Sequence, residues 1–291
     1  MAGKLYLCPT PIGNLDDITK RVLDTLKAVD LIAAEDTRNS LNLLRHFEIR
    51  TPMISYHQHN EQERTQELTE KLKNGAQIAL ITDAGTPGIS DPGQVLVRRC
   101  HEEGIEVTSL PGPCAFVTAL TLSGLDSRRF VFEGFLPFEK KEREPVLERL
   151  KNAAETTIFY EAPHRLAKTL TVLAQAAGNR PAAAVRELTK RFEELRLMPL
   201  EELAAYYAQQ EPRGEFVIVI EGKSLQEKKA EAQEEWRSLS LEEHMARYAH
   251  LPEKEAMKEV ARERGLSRRE IYQQWKITRT EDSEEDPSLE E

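Results

Sequence analysis

Short apolar runs alternate with longer amphipathic stretches along most of this chain. Lys4 to Cys8, Met53-Ile54-Ser55 and Ile105 to Leu110 read as strands in which polar residues interrupt the apolar ones, and Leu31-Ile32-Ala33-Ala34 and Ile78 to Thr82 are continuous apolar runs. Such runs read as strands covered on both faces, as in a parallel sheet. Between them Ile18, Val22 and Leu26 recur every fourth residue with Leu23 beside them, which predicts a helix. Glu61 to Lys73 reads as another, and Val95-Leu96-Val97 opens a third. Near Ser123 to Arg129 the pattern resets. A second series then follows: a strand at Phe130 to Phe135, a helix near Glu142 to Asn152, strands at Thr156 to Tyr160 and Ala182 to Val185, and a central strand at Phe216 to Ile220. The alternation predicts two α/β domains, residues 1–122 and 123–223, built on mostly parallel sheets with a ligand cleft between them.

The remainder differs in kind. Residues 224–239 read as a charged helical linker. Ser240-Leu241-Glu242-Glu243 and Ser267-Arg268-Arg269-Glu270 are capping boxes that open helices. Pro252 suits the first turn of a helix that Gly265 stops. Leu251, Val260, Leu266, Ile271 and Trp275 would form a small core, so residues 240–277 are expected to make a three-helix, helix-turn-helix-like module. Between His244 and Lys276 eight lysines and arginines face five glutamates. Lys254, Lys258, Arg262, Arg268 and Arg269 are therefore candidate RNA-backbone contacts, although the same charges would also serve a solvated helix face paired with Glu255 and Glu259. Residues 278–291 are expected to be a disordered acidic tail.

That tail distorts the net charge. The chain totals −10, of which seven acids from Glu281 onward account for −7, leaving −3 on the rest. Neither acidity nor basicity then argues for or against nucleic acid. At 291 residues the chain exceeds what one core comfortably holds, since single cores rarely grow past about 250–300 residues. No apolar run is long enough to span a membrane, and the polar start beyond Leu7 is unlike a secretory signal. A cytoplasmic protein without disulfides is expected from three cysteines, Cys8, Cys100 and Cys114, with no C-x-x-C.

Familiar chemistries are missing. There is no G-x-G-x-x-G, no P-loop and no H-E-x-x-H. His57-Gln58-His59 lacks a third ligand, so no metal is expected. Cys114 has no neighbouring base to activate it and reads as a small residue at a helix start.

Polar clusters at strand ends carry the chemistry instead. The apolar run before Thr82 leads into Asp83-Ala84-Gly85-Thr86-Pro87-Gly88-Ile89-Ser90-Asp91-Pro92-Gly93, a tight backbone that a ligand can approach closely. Ligands in open α/β sheets sit at such strand ends, and Asp83 is placed to meet a cation such as an amino-acid ammonium. The structural alternative is a plain Gly/Pro-rich connection. Glu35-Asp36-Thr37-Arg38, Glu161-Ala162-Pro163-His164-Arg165 and Arg186 to Lys190 repeat the theme. Each has a helix-capping alternative, with Asp36 or Thr37 as N-cap, but three such clusters at strand ends exceed what capping needs.

Taken in order, Pro9-Thr10-Pro11-Ile12-Gly13-Asn14-Leu15, Glu35-Asp36-Thr37-Arg38, Asp83 to Gly88, Pro111-Gly112-Pro113 and Tyr160 to Arg165 resemble the bacterial small-subunit ribosomal RNA 2′-O-methyltransferases. These form a branch of the tetrapyrrole-methylase superfamily, whose members use S-adenosylmethionine. The resemblance covers residues 4–222, and the three-helix tail is similar to that family's C-terminal module. The usual Gly-Asp-Pro loop of the superfamily is replaced here by Asp83 to Gly88, which favours the RNA-modifying branch. The resemblance implies methylation of a cytidine ribose in the decoding region of 16S ribosomal RNA, and a homodimer. It implies that Asp83, Ala84, Gly85 and Thr86 hold the methionine part of S-adenosylmethionine, that Pro113, Cys114 and Ala115 line its adenosine side, that Pro11, Gly13 and Asn14 close over it, and that Tyr160 and Ala184 complete the site.

A 2′-hydroxyl must lose its proton as it is methylated, so a positioned base is needed. Asp36 is the first candidate, with Glu35, Glu161 and Lys190 as alternatives. Arg38, Arg165, Arg186 and Lys190 are candidates to hold phosphates or orient the acids. A small-molecule methyltransferase and a ligand-sensing nucleic-acid-binding regulator remain as rival readings. The first would not need the basic tail, and the second leaves the strand-end clusters unexplained.

Overall fold

The computed structural model describes residues 3–224, 227, 236 and 239–281, with side chains described as far as residue 276. Most of the expected linker, and the acidic tail from residue 282, therefore lie outside the described residues; residues 278–281, expected to be disordered, instead end the last helix.

The first sheet is built from β1 (Lys4–Leu7), β2 (Leu31–Ala34), β3 (Met53–Ser55), β4 (Gln77–Ile81) and β5 (Glu106–Ser109). All four pairings are parallel, in the order β3-β2-β4-β1-β5. Helices α1 (Lys20–Ala28), α2 (Thr37–His46), α3 (Glu61–Lys73), α4 (Gln94–Glu102) and α5 (Ala115–Ser123) connect or follow these strands. Helix α1 begins where Thr19 accepts a hydrogen bond from the Val22 amide, and it buries Val22 and Leu26, two members of the fourfold repeat. They pack with Ile32, Ala34 and Ile81 on one face of the sheet, while Leu68, Leu72, Leu96 and Cys100 from α3 and α4 cover the other. From β1 the chain moves to β2 and β3 on one side, and from β4 it moves to β5 on the other. The neighbours β1 and β4 thus mark the topological switch point, where open α/β sheets bind ligands.

The second sheet comprises β6 (Phe130–Phe135), β7 (Thr156–Glu161), β8 (Pro181–Arg186), β9 (Glu194–Pro199) and β10 (Phe216–Ile220), ordered β6-β7-β10-β8-β9. Here the expectation of a mostly parallel sheet is corrected. Only β6 and β7 run parallel; β10 runs against both β7 and β8, and β8 and β9 form an antiparallel pair. The short connection from Arg186 to Glu194 permits nothing else, because parallel neighbours need a long crossover. Strand β9 itself alternates exposed and half-buried residues, as an edge strand does, and carries no continuous apolar run. Strand β10 is buried at all five positions. Each such apolar side chain is worth roughly 1.5–3 kcal/mol of burial.

Helices α6 (Lys140–Asn152), α7 (Pro163–Ala177) and α8 (Leu200–Ala208) cover one face of this sheet. The other face is covered by α5, whose Ala119 and Leu120 pack on Ile158, Ala183, Val185 and Val219. The last helix of the first series is thus a core element of the second, and Met1–Gly222 forms one compact unit.

From Lys223 onward a second compact unit follows. It contains α9 (Leu241–Arg247), α10 (Glu253–Arg264) and α11 (Arg268–Glu281). Both capping boxes form: Ser240 and Glu243 exchange hydrogen bonds, as do Ser267 and Glu270. Pro252 stands at the N-cap of α10, and Gly265 ends it in the left-handed region at φ 65. Val260 and Ile271 are fully buried, with Leu251, Leu266 and Trp275 packed against them. His244 is also buried in the module: its Nε2 meets Glu263 at 2.9 Å and its Nδ1 accepts from Arg264 Nε at 3.0 Å.

Candidate active site

The loops after β1 and β4 meet at the switch point. Thr10 and Gly85 exchange backbone hydrogen bonds at 2.9 and 3.0 Å, and Thr10 Oγ1 donates to the Thr82 carbonyl at 3.0 Å. Gly85 takes φ 83, which only glycine adopts freely. Thr86 Oγ1 donates to the Pro113 carbonyl at 2.9 Å and ties in the loop after β5. The loop from Pro11 to Asn14 lies against the second half: a Cβ on Gly13 would collide with Leu188, Thr189 and Lys190. The Asn14 amide donates to Thr189 Oγ1 at 3.1 Å.

These loops and the ends of β7, β8 and β10 enclose a cavity of about 410 Å³, within the usual range for cofactor-sized ligands. Nine of the expected site residues line it: Glu35, Asp83, Ala84, Thr86, Cys114, Ala115, Tyr160, Glu161 and Lys190. Tyr160 is fixed by the Phe116 amide, which donates to its hydroxyl at 3.2 Å. Glu161 is 1% exposed and accepts from the Ala162 amide at 2.8 Å, from Thr169 at 2.6 Å and from Arg165 Nε at 3.3 Å. Lys190 donates to Glu187 at 2.9 Å. Cys114 sits at the N-cap of α5, and burial pushes its thiol up rather than activating it.

Other expected residues fall elsewhere. Asp36 does not line the cavity; it is the N-cap of α2, accepting from the Arg38 amide at 2.8 Å. The Arg38 guanidinium and the helix amides hold its carboxyl down at about 2. A carboxylate so stabilised is a weak proton acceptor. Arg165 is occupied by Glu161, by the Leu136 carbonyl at 2.5 Å and by the Phe138 ring at 3.7 Å. Arg186 pairs with Glu194 at 3.1 Å. Ala184 faces the helix-covered core, and it is Val185 that lines the cavity. The carbonyl of Pro113 anchors Thr86, and the side chain of Asn14 caps the short 3-10 turn at Leu15–Asp17. Pro11 and Gly13 line a separate hollow. In the C-terminal unit Arg262 pairs with Glu259 at 2.5 Å, while Lys254, Lys258, Arg268 and Arg269 are exposed and make no ion pair among the described residues.

Three cavity acids were not singled out as site residues from the sequence: Asp91 and Glu187, which lie inside clusters named above, and Glu215, which does not. Asp91 ends the same Gly/Pro-rich loop as Asp83, and the Asp-Pro-Gly turn was its only signal. Burial, reinforced by the nearby carboxylates of Glu35 and Asp83, pushes its carboxyl up to about 7. Glu35 is likewise raised by burial. Three residues here hold positive φ without being glycine: Ser90 at 61, Glu187 at 51 and Thr189 at 64. Strain of this kind persists where surrounding structure enforces it. Gly214, at φ 82, leaves the space that the Glu187 carboxylate fills.

The cavity therefore gathers six carboxylates, Glu35, Asp83, Asp91, Glu161, Glu187 and Glu215, against one ammonium, Lys190. Its field favours a cation, and its walls of Ile12, Ile89, Val185, Leu188 and Val217 favour a flat apolar partner. S-adenosylmethionine, with its sulfonium, ammonium and adenine, fits that combination.

Comparison with known proteins agrees. Residues 4–204 match the family of Tetrapyrrole (Corrin/Porphyrin) Methylases. Solved structures with the same fold include a diphthine synthase, at TM-score 0.61 and 14% identity over 77% of this chain and 91% of that one. Another is the uroporphyrin-III-C-methyltransferase of Thermus thermophilus, at TM-score 0.53 and 19% identity over 75% and 94%. Much more similar in sequence are proteins named ribosomal RNA small subunit methyltransferase I. Those of Bacillus subtilis and Synechocystis share 46% and 48% identity, covering 94% and 93% of this chain and 94% and 96% of theirs. That of Escherichia coli O157:H7 shares 46% over 93% of each chain. The chain belongs to the tetrapyrrole methylase family, in the branch of these relatives, and is an S-adenosylmethionine-dependent methyltransferase. No helix among the described residues is long and apolar enough to cross a membrane.

Proposed function

We propose that this chain methylates the ribose 2′-hydroxyl of a cytidine in the decoding region of small-subunit ribosomal RNA, in the cytoplasm. The observation that carries this reading is the near-full-length similarity to proteins named for that ribosomal subunit, which extends past Gly222 into the C-terminal unit. The acidic cavity supports it, because it suits a cationic methyl donor.

When bound, S-adenosylmethionine supplies a methyl group on a cationic sulfur, an electrophile that needs no further activation. The chain's own residues must then hold donor and acceptor in line and remove one proton. Asp83, fixed by Asn39 at 3.0 Å and by the Asp36 amide at 3.2 Å, presents a preset negative charge to the donor. The base role first expected of Asp36 passes to Asp91. Its carboxyl lines the cavity and ionises near neutral pH, where a general base is most effective.

Two further features belong to the same reading. Exposed Phe130, Val131 and Phe135 on β6, and Leu195 and Leu197 on β9, leave apolar side chains on both edge strands of the second sheet. These edges support a homodimer, which sedimentation at micromolar concentration tests. Lys254, Lys258, Arg262, Arg268 and Arg269 supply RNA affinity.

The deciding experiment incubates the protein and labelled S-adenosylmethionine with small ribosomal subunits from a strain lacking the modification, then maps the methyl group. Label on a 2′-oxygen of a decoding-region cytidine is expected. Label on a base, or transfer to a tetrapyrrole in preference to RNA, overturns the reading.

A further inference from the structure

A second hollow, of about 360 Å³, shares Asp83 with the acidic cavity. The loop after β1 divides the two, since Ile12 lines the first and its neighbours Pro11 and Gly13 line the second. The opposite wall is one stripe of α2, where Asn39, Asn42, Leu43 and His46 fall on a single helix face. Any ligand here stands next to one in the acidic cavity, with only Asp83 and that loop between them.

Two hydroxyls set this hollow apart. Ser40 and Thr82 line it, and neither Ser40 Oγ nor Thr82 Oγ1 has a well-formed hydrogen bond among the described residues. Ser40 is 4% exposed and Thr82 is 1% exposed. The Asp91 carboxylate comes near Thr82 from the acidic cavity, so Ser40 is the sharper of the two signals. Buried hydroxyls are normally bonded, so such groups at one hollow point to a polar ligand. The ligand's class follows from the other walls. No lysine or arginine lines the hollow, so it is not built for phosphate. One carboxylate, against six next door, makes it a poor second home for a sulfonium. Apolar Pro11, Leu15 and Leu43 combined with hydroxyl and carboxamide groups suit a flat heterocycle joined to a sugar.

We propose that this hollow receives an unpaired nucleoside of the RNA substrate, with Ser40, Thr82 and Asn42 meeting its polar edges. The inference rests on the RNA-methylation reading above and deepens it, by naming where the acceptor strand is held.

Ser40→Ala and Asn42→Ala test it, with labelled S-adenosylmethionine and small subunits lacking the modification. Ser40→Ala removes a hydroxyl that has no protein partner, so its unfolding midpoint should equal or exceed that of the unchanged protein. Asn42 is exposed on α2, and its loss leaves the fold intact. Each variant should raise KM for subunits roughly threefold to tenfold, as loss of one hydrogen bond does, with unchanged affinity for S-adenosylmethionine. Unchanged KM in both variants overturns the proposal. Weakened S-adenosylmethionine binding also overturns it, because the hollow would then belong to the methyl donor. An unchanged protein that leaves subunits unlabelled is a different result, and refutes the RNA-methylation reading itself.

Discussion

The Asp36 carboxylate and the Arg38 guanidinium close on each other, with Nη2 at 2.8 Å from Oδ2 and Nε at 3.1 Å from Oδ1. The same carboxylate caps α2 through the Arg38 amide. A carboxylate that serves a cap and a cation together is a structural group, and its variants should behave accordingly. Asp36→Asn keeps a good cap and should keep the single-turnover methylation rate. Asp36→Ala loses the cap and should lower the unfolding midpoint by about 2–4 °C. A large fall in single-turnover rate for the Asn variant, at unchanged donor affinity, would return the base role to Asp36.

Asp91 should control both rate and stability through pH. Its carboxyl is raised to about 7, so below that pH it is protonated and accepts no proton. For the unchanged protein kcat/KM should rise through a midpoint near 7. Asp91→Asn should flatten that profile and reduce the rate by roughly 10²- to 10⁴-fold. Stability runs the opposite way. A carboxyl whose folded value lies above its ordinary 3.8 favours folding at low pH, and that advantage is lost as pH climbs toward 7. Asp91→Asn should therefore match the unchanged protein at pH 4 and exceed it at pH 8. The gap should be about 1–3 kcal/mol, less than full conversion of the shift because the side chain is part-exposed and screened. Denaturant titrations at both pH values measure it, and the same gap at pH 4 and pH 8 would show that the carboxyl is not raised.

What the sequence made legible, and what it hid, follows strand direction. Parallel strands place their chemistry at their carboxyl ends, and Glu35, Asp83 and Glu161 were found there because apolar runs end in polar clusters, whereas Cys114 entered only through the family resemblance. Glu215 precedes its apolar run. It reaches the cavity because β10 runs antiparallel, pairing Phe216 with both Glu161 and Arg186 at the ends of β7 and β8. Nothing in a local pattern of apolar residues announces that reversal. Strand β9 was hidden for a related reason: at a sheet edge its half-exposed residues lack a continuous apolar run. Ala184 and Val185 show the remaining limit, since adjacent strand residues face opposite sides and only the assembled sheet tells which side holds the cavity.

Asp83 should govern donor affinity. Its carboxylate is positioned by Asn39 and the Asp36 amide before any ligand arrives, and its own amide donates to Glu35 at 3.3 Å. Removing a preorganised charged partner costs about 1.5–3 kcal/mol. Asp83→Ala should weaken S-adenosylmethionine binding by that amount in calorimetry, measured at a temperature where the variant is folded. Equal affinity in the folded variant would remove Asp83 from the donor site.

The C-terminal unit should add affinity for RNA without being needed for the donor. Met1–Gly222 is a compact unit that contains both sheets and every residue lining the acidic cavity. A chain ending at Lys223 should therefore fold and bind S-adenosylmethionine as the full chain does. The unit it lacks has a core of its own, around Val260 and Ile271, and exposes Lys254, Lys258, Arg268 and Arg269 without ion pairs among the described residues. Each phosphate that these groups neutralise contributes roughly 0.7 to 0.9 to the slope of log affinity against log salt. The truncated chain should bind small-subunit RNA more weakly, with a slope shallower by that amount for each phosphate left unneutralised. Titrations at several salt concentrations measure both quantities. Identical affinity and slope for the two chains would mean that the basic side chains of α10 and α11 are merely solvated and that the first unit alone holds the RNA.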